Sequence, residues 1–379
     1  MTKYRLFTPG PVEIPERVLA AMAKTDVHHR TKEFMQIFSS TAEKFRQLVD
    51  SEHSPLFLAC TGTGALEAAL INSAQEGELC LYVSAGKFGE RWGKIARRAG
   101  IEGVPIEANW GDSPALSKVR ETCAAHPEAK VFCIQHCETS TGVLHPIEEI
   151  IPMVREECPS ALIIVDSISS ITTSSLSQRK LGIDILICAA QKALQLPPGL
   201  TILGLSNRAA ERIQEGSPHS LYFDLKHELK NQAEGSSSWT PAIAHILGLG
   251  EVCQMIEEEG LDHMIERHNR LSKLCRFGLT QLGCTPVAEE YPANSLTPAT
   301  PPEGIDAEVL RKKLQNTFHV LIAGGQDHWS GKYFRVGHMG SFSEADMRMF
   351  LGVLYDALSE MEAKLPEKAE FETSLCSFV

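Results

Sequence analysis

Short apolar runs recur along the chain as far as residue 205, each followed by a polar or glycine-bearing turn. They are Pro55–Cys60, Leu79–Val83, Lys130–Ile134, Ala161–Val165, Ile183–Ala190 and Leu200–Leu205. Runs of this length predict strands, and the continuously apolar ones predict strands buried on both faces. Between them lie stretches of helical composition or period: Ala65–Leu70, a segment ending at Ala99, and Pro146–Glu156. This alternation predicts a parallel or mixed α/β sheet.

Upstream, Arg5–Val12 reads as an extended, turn-rich arm, Pro15–Met22 as a helix and Glu33–Val49 as an amphipathic helix. Downstream, Gly235–Pro241 reads as a flexible loop, followed by a helix over Ala242–Glu259 and a second reaching Leu282. The pattern then changes to α+β: a helix over Ala307–Gln315, strands near Val320 and Tyr333–Val336, and a helix over Glu344–Lys364. The tail beyond is expected to be mobile. The expected division is a large domain over residues 15–258, with residues 1–14 and 259–379 forming an N-terminal arm and a small C-terminal domain.

The length of 379 residues exceeds a typical single core, which agrees with that division. A net charge of −12 argues against general binding to nucleic acid or acidic membranes, yet leaves room for a local anion pocket. The eleven cysteines are scattered and form no Cys-x-x-Cys pair, so neither a disulfide framework nor a zinc site is indicated. They read as small core residues in a reducing compartment. No apolar signal region opens the sequence and no run reaches membrane-spanning length, so a cytoplasmic location is expected.

The chemistry gathers where strands end, the edge at which open α/β sheets bind ligands. Lys192 stands between two apolar runs, flanked by Ala, Leu and Gln, just before Pro197-Pro198-Gly199. A lysine there either snorkels to solvent or is desolvated, which lowers its pKa toward the nucleophilic amine. Asp166 ends the Ala161–Val165 run. Thr61-Gly62-Thr63-Gly64 turns into a helix and can present backbone N–H groups and hydroxyls to a phosphate or carboxylate. It matches neither the Walker motif nor Gly-x-Gly-x-x-Gly. A lysine, an acid and an anion cradle are the parts a pyridoxal phosphate site requires.

In order, the blocks are Thr8-Pro-Gly-Pro11, Thr61–Ala69, Glu138-Thr-Ser-Thr-Gly142, Asp166–Ser170, Gln191–Leu194 with Pro197–Gly199, Thr240-Pro241 and Arg335–Gly340. With them the chain resembles the class V aminotransferases of fold type I, the group holding alanine–glyoxylate and serine–pyruvate aminotransferases. The resemblance implies a mostly parallel seven-stranded sheet between helices, a smaller C-terminal α+β domain, and pyridoxal 5′-phosphate as cofactor. It assigns Lys192 to covalent attachment of the cofactor and proton transfer, and Asp166 to the pyridine nitrogen. Phe88 would stack on the ring where many relatives carry tryptophan, Ile168 would cover the other face, and Thr139 would meet the 3′ oxygen.

Thr61, Gly62, Thr63 and Gln191 match phosphate-binding positions. Thr240 matches a threonine given to the partner subunit's phosphate, which implies a homodimer with shared sites. Arg335 matches the arginine that grips the substrate carboxylate. The implied reaction moves an amino group between a small L-amino acid and a 2-oxo acid such as glyoxylate or pyruvate. Arg30, beside His28 and His29, would line the side-chain pocket and admit an anionic donor such as aspartate or 2-aminoethylphosphonate.

The chain departs from the pattern at Ala190, at Ser237 where some relatives have a phosphate-binding tyrosine, and over residues 171–180, which lack a glycine pair and a tryptophan. Two rivals stand beside the transaminase. A lyase or desulfurase is disfavoured by Gln191 before the lysine, where a desulfurase has histidine. A non-catalytic subunit is disfavoured by the joint presence of Lys192, Asp166 and Arg335.

Overall fold

The apolar runs become the strands of a seven-stranded sheet in the computed structural model, which describes residues 3–24 and 26–378. These are β1 (Leu56–Leu58), β2 (Leu79–Ser84), β3 (Glu102–Glu107), β4 (Val131–Gln135), β5 (Leu162–Asp166), β6 (Ile185–Ala189) and β7 (Thr201–Leu205). Their order is β3-β2-β4-β5-β6-β7-β1. All neighbours from β3 to β6 pair in parallel, while β7 runs antiparallel to both β6 and β1. Strands β4, β5 and β6 are buried throughout, because apolar cores cover both faces. Ile163, Val165, Leu186 and Cys188 pack into one core; the alternate residues Ile164, Ile185 and Ile187 pack into the other.

Strand β3 escapes the sequence pattern. Glu102-Gly-Val-Pro-Ile-Glu107 carries two acids, a glycine and a proline, and only Ile106 is buried. It lies at the sheet edge, where one side needs no pairing partner and proline and charge discourage further strand addition. Helices Asn207–Glu215 and Leu225–Ala233 also lie outside the expected elements, although Ala209, Ala210 and Ile213 form a buried stripe on the first. Each starts at a cap, the Ser206 side chain accepting from Ala209 N–H and that of Asp224 from Lys226 N–H.

The C-terminal α+β part has a four-stranded antiparallel sheet in which Phe334–Gly337 pairs with Leu296–Thr300 and Ala323–Gly324. Helices Leu261–Gln281, Ala307–Phe318 and Glu344–Ser359 close a third core around Phe334, Val336 and Phe350. Two expectations need correction here. The last long helix ends at Ser359 rather than Lys364, and the tail expected to be mobile forms the helix Lys368–Ser377. Phe371 and Leu375, one turn apart, are buried in the third core, with the Phe371 ring stacked 5.5 Å from Tyr355.

The N-terminal arm is part of this framework. Arg5–Leu6 pairs in parallel with Val320–Leu321, and Gly337 N–H donates to Phe7 O at 2.8 Å. A Cβ on Gly337 would lie 2.1 Å from Thr8 O, so only glycine lets the arm pass so closely.

Candidate active site

Because β1, β2, β4, β5 and β6 point the same way, the turns after them meet at one edge of the sheet. Asp166 is the last residue of β5, Lys192 follows β6, the turn to Phe88 follows β2, and Thr61 follows β1. Between them lies a cavity of about 140 Å³, lined by Thr61, Gly62, Thr63, Phe88, Thr139, Asp166, Ile168, Gln191 and Lys192. Leu66, Arg91 and Ser169 complete the wall.

Helix α1 (Gly62–Ser73) opens onto this cavity with its first N–H groups free of intrahelical partners. Thr61 is its N-cap residue and leaves its side chain out of the cap. Gly62 is required by packing: a Cβ there would stand 2.6 Å from Ile168 Cδ1. Asp166 anchors the opposite wall, its Oδ1 accepting from Ile168 N–H at 2.9 Å.

Burial raises the Asp166 pKa to about 6, and Glu138 adds to the rise; the Ile168 N–H and the charges of Lys192 and Arg91 oppose it. Burial also lowers the Lys192 pKa to about 8, helped by the positive charge of Arg335. The Lys192 ammonium donates to Pro9 O, and Gln191 O accepts from Val12 N–H at 3.3 Å. The arm therefore lies directly over the lysine. A Cβ on Gly10, whose φ is +107°, would fall 2.4 Å from Lys192 Cδ.

Glu138 received no role from its sequence context, yet it fixes the geometry of Phe88. Fully buried, its carboxylate accepts from Phe88 N–H at 3.1 Å, Gly89 N–H at 2.9 Å, Ser140 N–H at 3.0 Å and the Ser140 hydroxyl at 2.5 Å. A Cβ on Gly86 would meet Glu138 Cδ at 2.5 Å, so the turn closes around the carboxylate. Burial raises the Glu138 pKa and these donors pull it back.

Thr139 makes a 2.6 Å hydroxyl contact with Ser169, and its carbonyl accepts from Arg335 Nη1 at 3.2 Å. Arg335 Nε donates to Gly324 O at 2.9 Å. Two carbonyls thus orient a guanidinium that is only 8 % exposed, while its Nη2 makes no hydrogen bond among the described residues. Burial lowers its pKa to about 10, which leaves it charged at neutral pH. A carboxylate reaching Arg335 would meet a preoriented cation.

Arg91 likewise has no role assigned by its sequence context. It sits on helix α2 (Gly89–Arg98), its Nη1 donating to Thr63 Oγ1 at 2.9 Å and its guanidinium carbon 4.7 Å from the Phe88 ring centroid. Its place three residues after Phe88, on the same helical face, was the available signal.

Arg335 adjoins the cavity through the Thr139 carbonyl rather than lining it, and Arg30 and Thr240 are not brought to it. Arg30 is exposed in the turn before helix Lys32–Val49, its N–H donating to His28 Nδ1 at 3.2 Å. Thr240 is exposed beside Trp239, whose ring stacks on Tyr222 at 5.9 Å. Over residues 171–180, the stretch Ile171–Ser174 folds into a buried turn, and Thr173 O accepts from Asn294 Nδ2 at 3.2 Å.

The residues fit pyridoxal phosphate on their own chemistry. The cavity offers a desolvated amine, a carboxylate on the opposite wall, and a glycine-opened helix start. Gln191 also lines the cavity with a side-chain amide that makes no hydrogen bond among the described residues, so its N–H groups can be turned to a phosphate.

Residues 5–339 match the family model for aminotransferase class-V. The chain is 32 % identical to the small subunit of a soluble hydrogenase from Synechococcus sp., with 95 % of this chain and 94 % of that protein covered. It is 30 % identical to an L-aspartate–glyoxylate aminotransferase of Paracoccus denitrificans, covering 90 % and 87 %. The crystal structure of an alanine–glyoxylate aminotransferase from Nostoc sp. superposes with a TM-score of 0.90 at 27 % identity, covering 94 % and 96 %. The sheet, the cavity and these likenesses agree: the chain belongs to the class-V aminotransferases, enzymes that depend on pyridoxal 5′-phosphate.

Proposed function

We propose that this aminotransferase moves the amino group of a small L-amino acid, alanine or serine, to glyoxylate or pyruvate in a ping-pong cycle. The carrying observation is Arg335, held by Gly324 O and Thr139 O with Nη2 unpartnered. Its positive charge lowers the Lys192 pKa, which supports reading Arg335 as the anchor for the substrate carboxylate. The names of the Nostoc and Paracoccus relatives support glyoxylate as acceptor, and the latter supports aspartate as an alternative donor.

In this reading Lys192 holds the cofactor and carries the proton at the substrate Cα. Pyridoxal phosphate, when bound, supplies the electron sink that makes this proton removable. Asp166 keeps the pyridine nitrogen protonated, Phe88 and Ile168 sandwich the ring, and Thr139 meets the 3′ oxygen. Thr61, Gly62, Thr63 and Gln191 hold the phosphate. Thr240, exposed beside an apolar aromatic pair, serves the phosphate of a partner subunit in a homodimer, and Arg30 lines the side-chain pocket only in that assembly. The larger domain spans residues 15–258. The eleven unpaired cysteines suit a cytoplasmic location.

The hydrogenase-subunit relative favours a second reading, a subunit that keeps the fold without the reaction. Absorbance of the purified protein separates the two. The cofactor's visible band should fade with L-alanine or L-serine and return with glyoxylate or pyruvate, and Lys192→Ala should show neither change. Fading with aspartate alone would name the anionic donor instead. A protein that stays colourless after pyridoxal phosphate is added would support the non-catalytic subunit.

A further inference from the structure

Arg91 is a cation on the cavity wall that faces no carboxylate within ion-pair distance among the described residues. The nearest acid in sequence, Glu90, is engaged elsewhere: it accepts from Trp110 Nε1 at 3.2 Å and pairs with Lys94 at 3.6 Å. Arg91 also occupies the first turn of α2, where the helix dipole disfavours positive charge. Its guanidinium reaches across to the Thr63 hydroxyl, in the first turn of α1. The start of α2 is taken by the Glu138 carboxylate, whereas the start of α1 and the Arg91 guanidinium both present positive potential at the Thr63 corner of the cavity. An anion entering at that corner would meet both a helix start and a guanidinium that has no ion-pair partner among the described residues.

We propose that Arg91 is a binding residue for the cofactor's phosphate, supplying the charge that the neutral donors around Thr63 lack. This inference rests on the cofactor-binding role given above to Thr61, Gly62, Thr63 and Gln191. A phosphate monoester carries close to two negative charges at neutral pH. Hydroxyls, an amide and backbone N–H groups can orient it but cannot neutralise it. Lys192 cannot do so either, because its nitrogen is committed to covalent attachment. The stacking of Arg91 over Phe88 restricts the guanidinium in the position from which it meets the phosphate.

The test compares two ligands that differ only in the phosphate. Full-length protein freed of cofactor is titrated with pyridoxal phosphate and, separately, with pyridoxal, following the visible band. Arg91→Met should weaken pyridoxal phosphate by about tenfold or more, the scale of one charge-assisted contact, and leave pyridoxal within about twofold. Arg91→Lys should keep most of the preference. Arg91→Gln, shorter but still able to hydrogen-bond without charge, carries the same expectation as Arg91→Met should the latter fail to fold.

Equal weakening of both ligands would make Arg91 a support for the ring or the fold and overturn the proposal. So would unchanged binding of pyridoxal phosphate. A wild-type protein that captures neither ligand would bring down the cofactor-site reading, and this inference with it. The first two outcomes leave that reading standing.

Discussion

Burial drives the pKa values of Lys192 and Asp166 toward each other, to about 8 and about 6. The lysine must lose its proton before it can attack an aldehyde, so capture of pyridoxal phosphate should accelerate as pH rises through about 8 and then level off. Stopped-flow absorbance between pH 6.5 and 9.5 would read this, and a flat profile would contradict it. The Asp166 shift has the opposite consequence for folding. A carboxyl whose folded pKa lies above its unfolded value stabilises the fold at low pH, and that contribution is lost as pH rises through about 6. Asp166→Asn should therefore raise the thermal midpoint of the cofactor-free protein at pH 8 but not at pH 4, while crippling transamination. Both residues are legible in sequence because each is a lone charge beside an apolar run. Glu138 and Arg91 are not, since their partners Phe88 and Thr63 lie 50 and 28 residues away and only the folded chain joins them.

At the level of elements, the short apolar strands were legible wherever both faces are covered, as in β4, β5 and β6. The edge strand β3 was not, because an exposed edge needs no apolar pattern. Helix Lys368–Ser377 was hidden for a related reason: two buried side chains in ten residues make too weak a period to read. Those two side chains matter nonetheless. Phe371→Ala should cost about 3 kcal/mol in urea unfolding, as expected for a large buried ring, and a negligible change would show the tail helix to be dispensable. At the start of α1, Gly62 and Ile168 form a matched pair. Gly62→Ala should weaken cofactor binding by pushing Ile168 into the cavity. Adding Ile168→Val, which deletes the clashing Cδ1, should recover much of the loss.

Across the whole molecule, the division of labour between two copies of the chain has a direct test. If Thr240 serves a partner's phosphate, Lys192→Ala and Thr240→Ala chains mixed before assembly should regain one normal site per mixed dimer. Failure to regain activity would return Thr240 to its own chain. Sequence could not show where Thr240 stands, because its exposure belongs to one copy considered alone. The arm over Lys192 has a consequence in time as well as in space. Arg5–Leu6 needs Val320–Leu321, and Phe7 needs Gly337, before Pro9 and Gly10 can be held against the lysine. On a ribosome the seven-stranded sheet can form from residues 56–205 while this arm still has nothing to pair with. The lysine's roof is set in place only after synthesis has passed residue 337, so the burial that lowers the Lys192 pKa is completed late, when the arm closes over it.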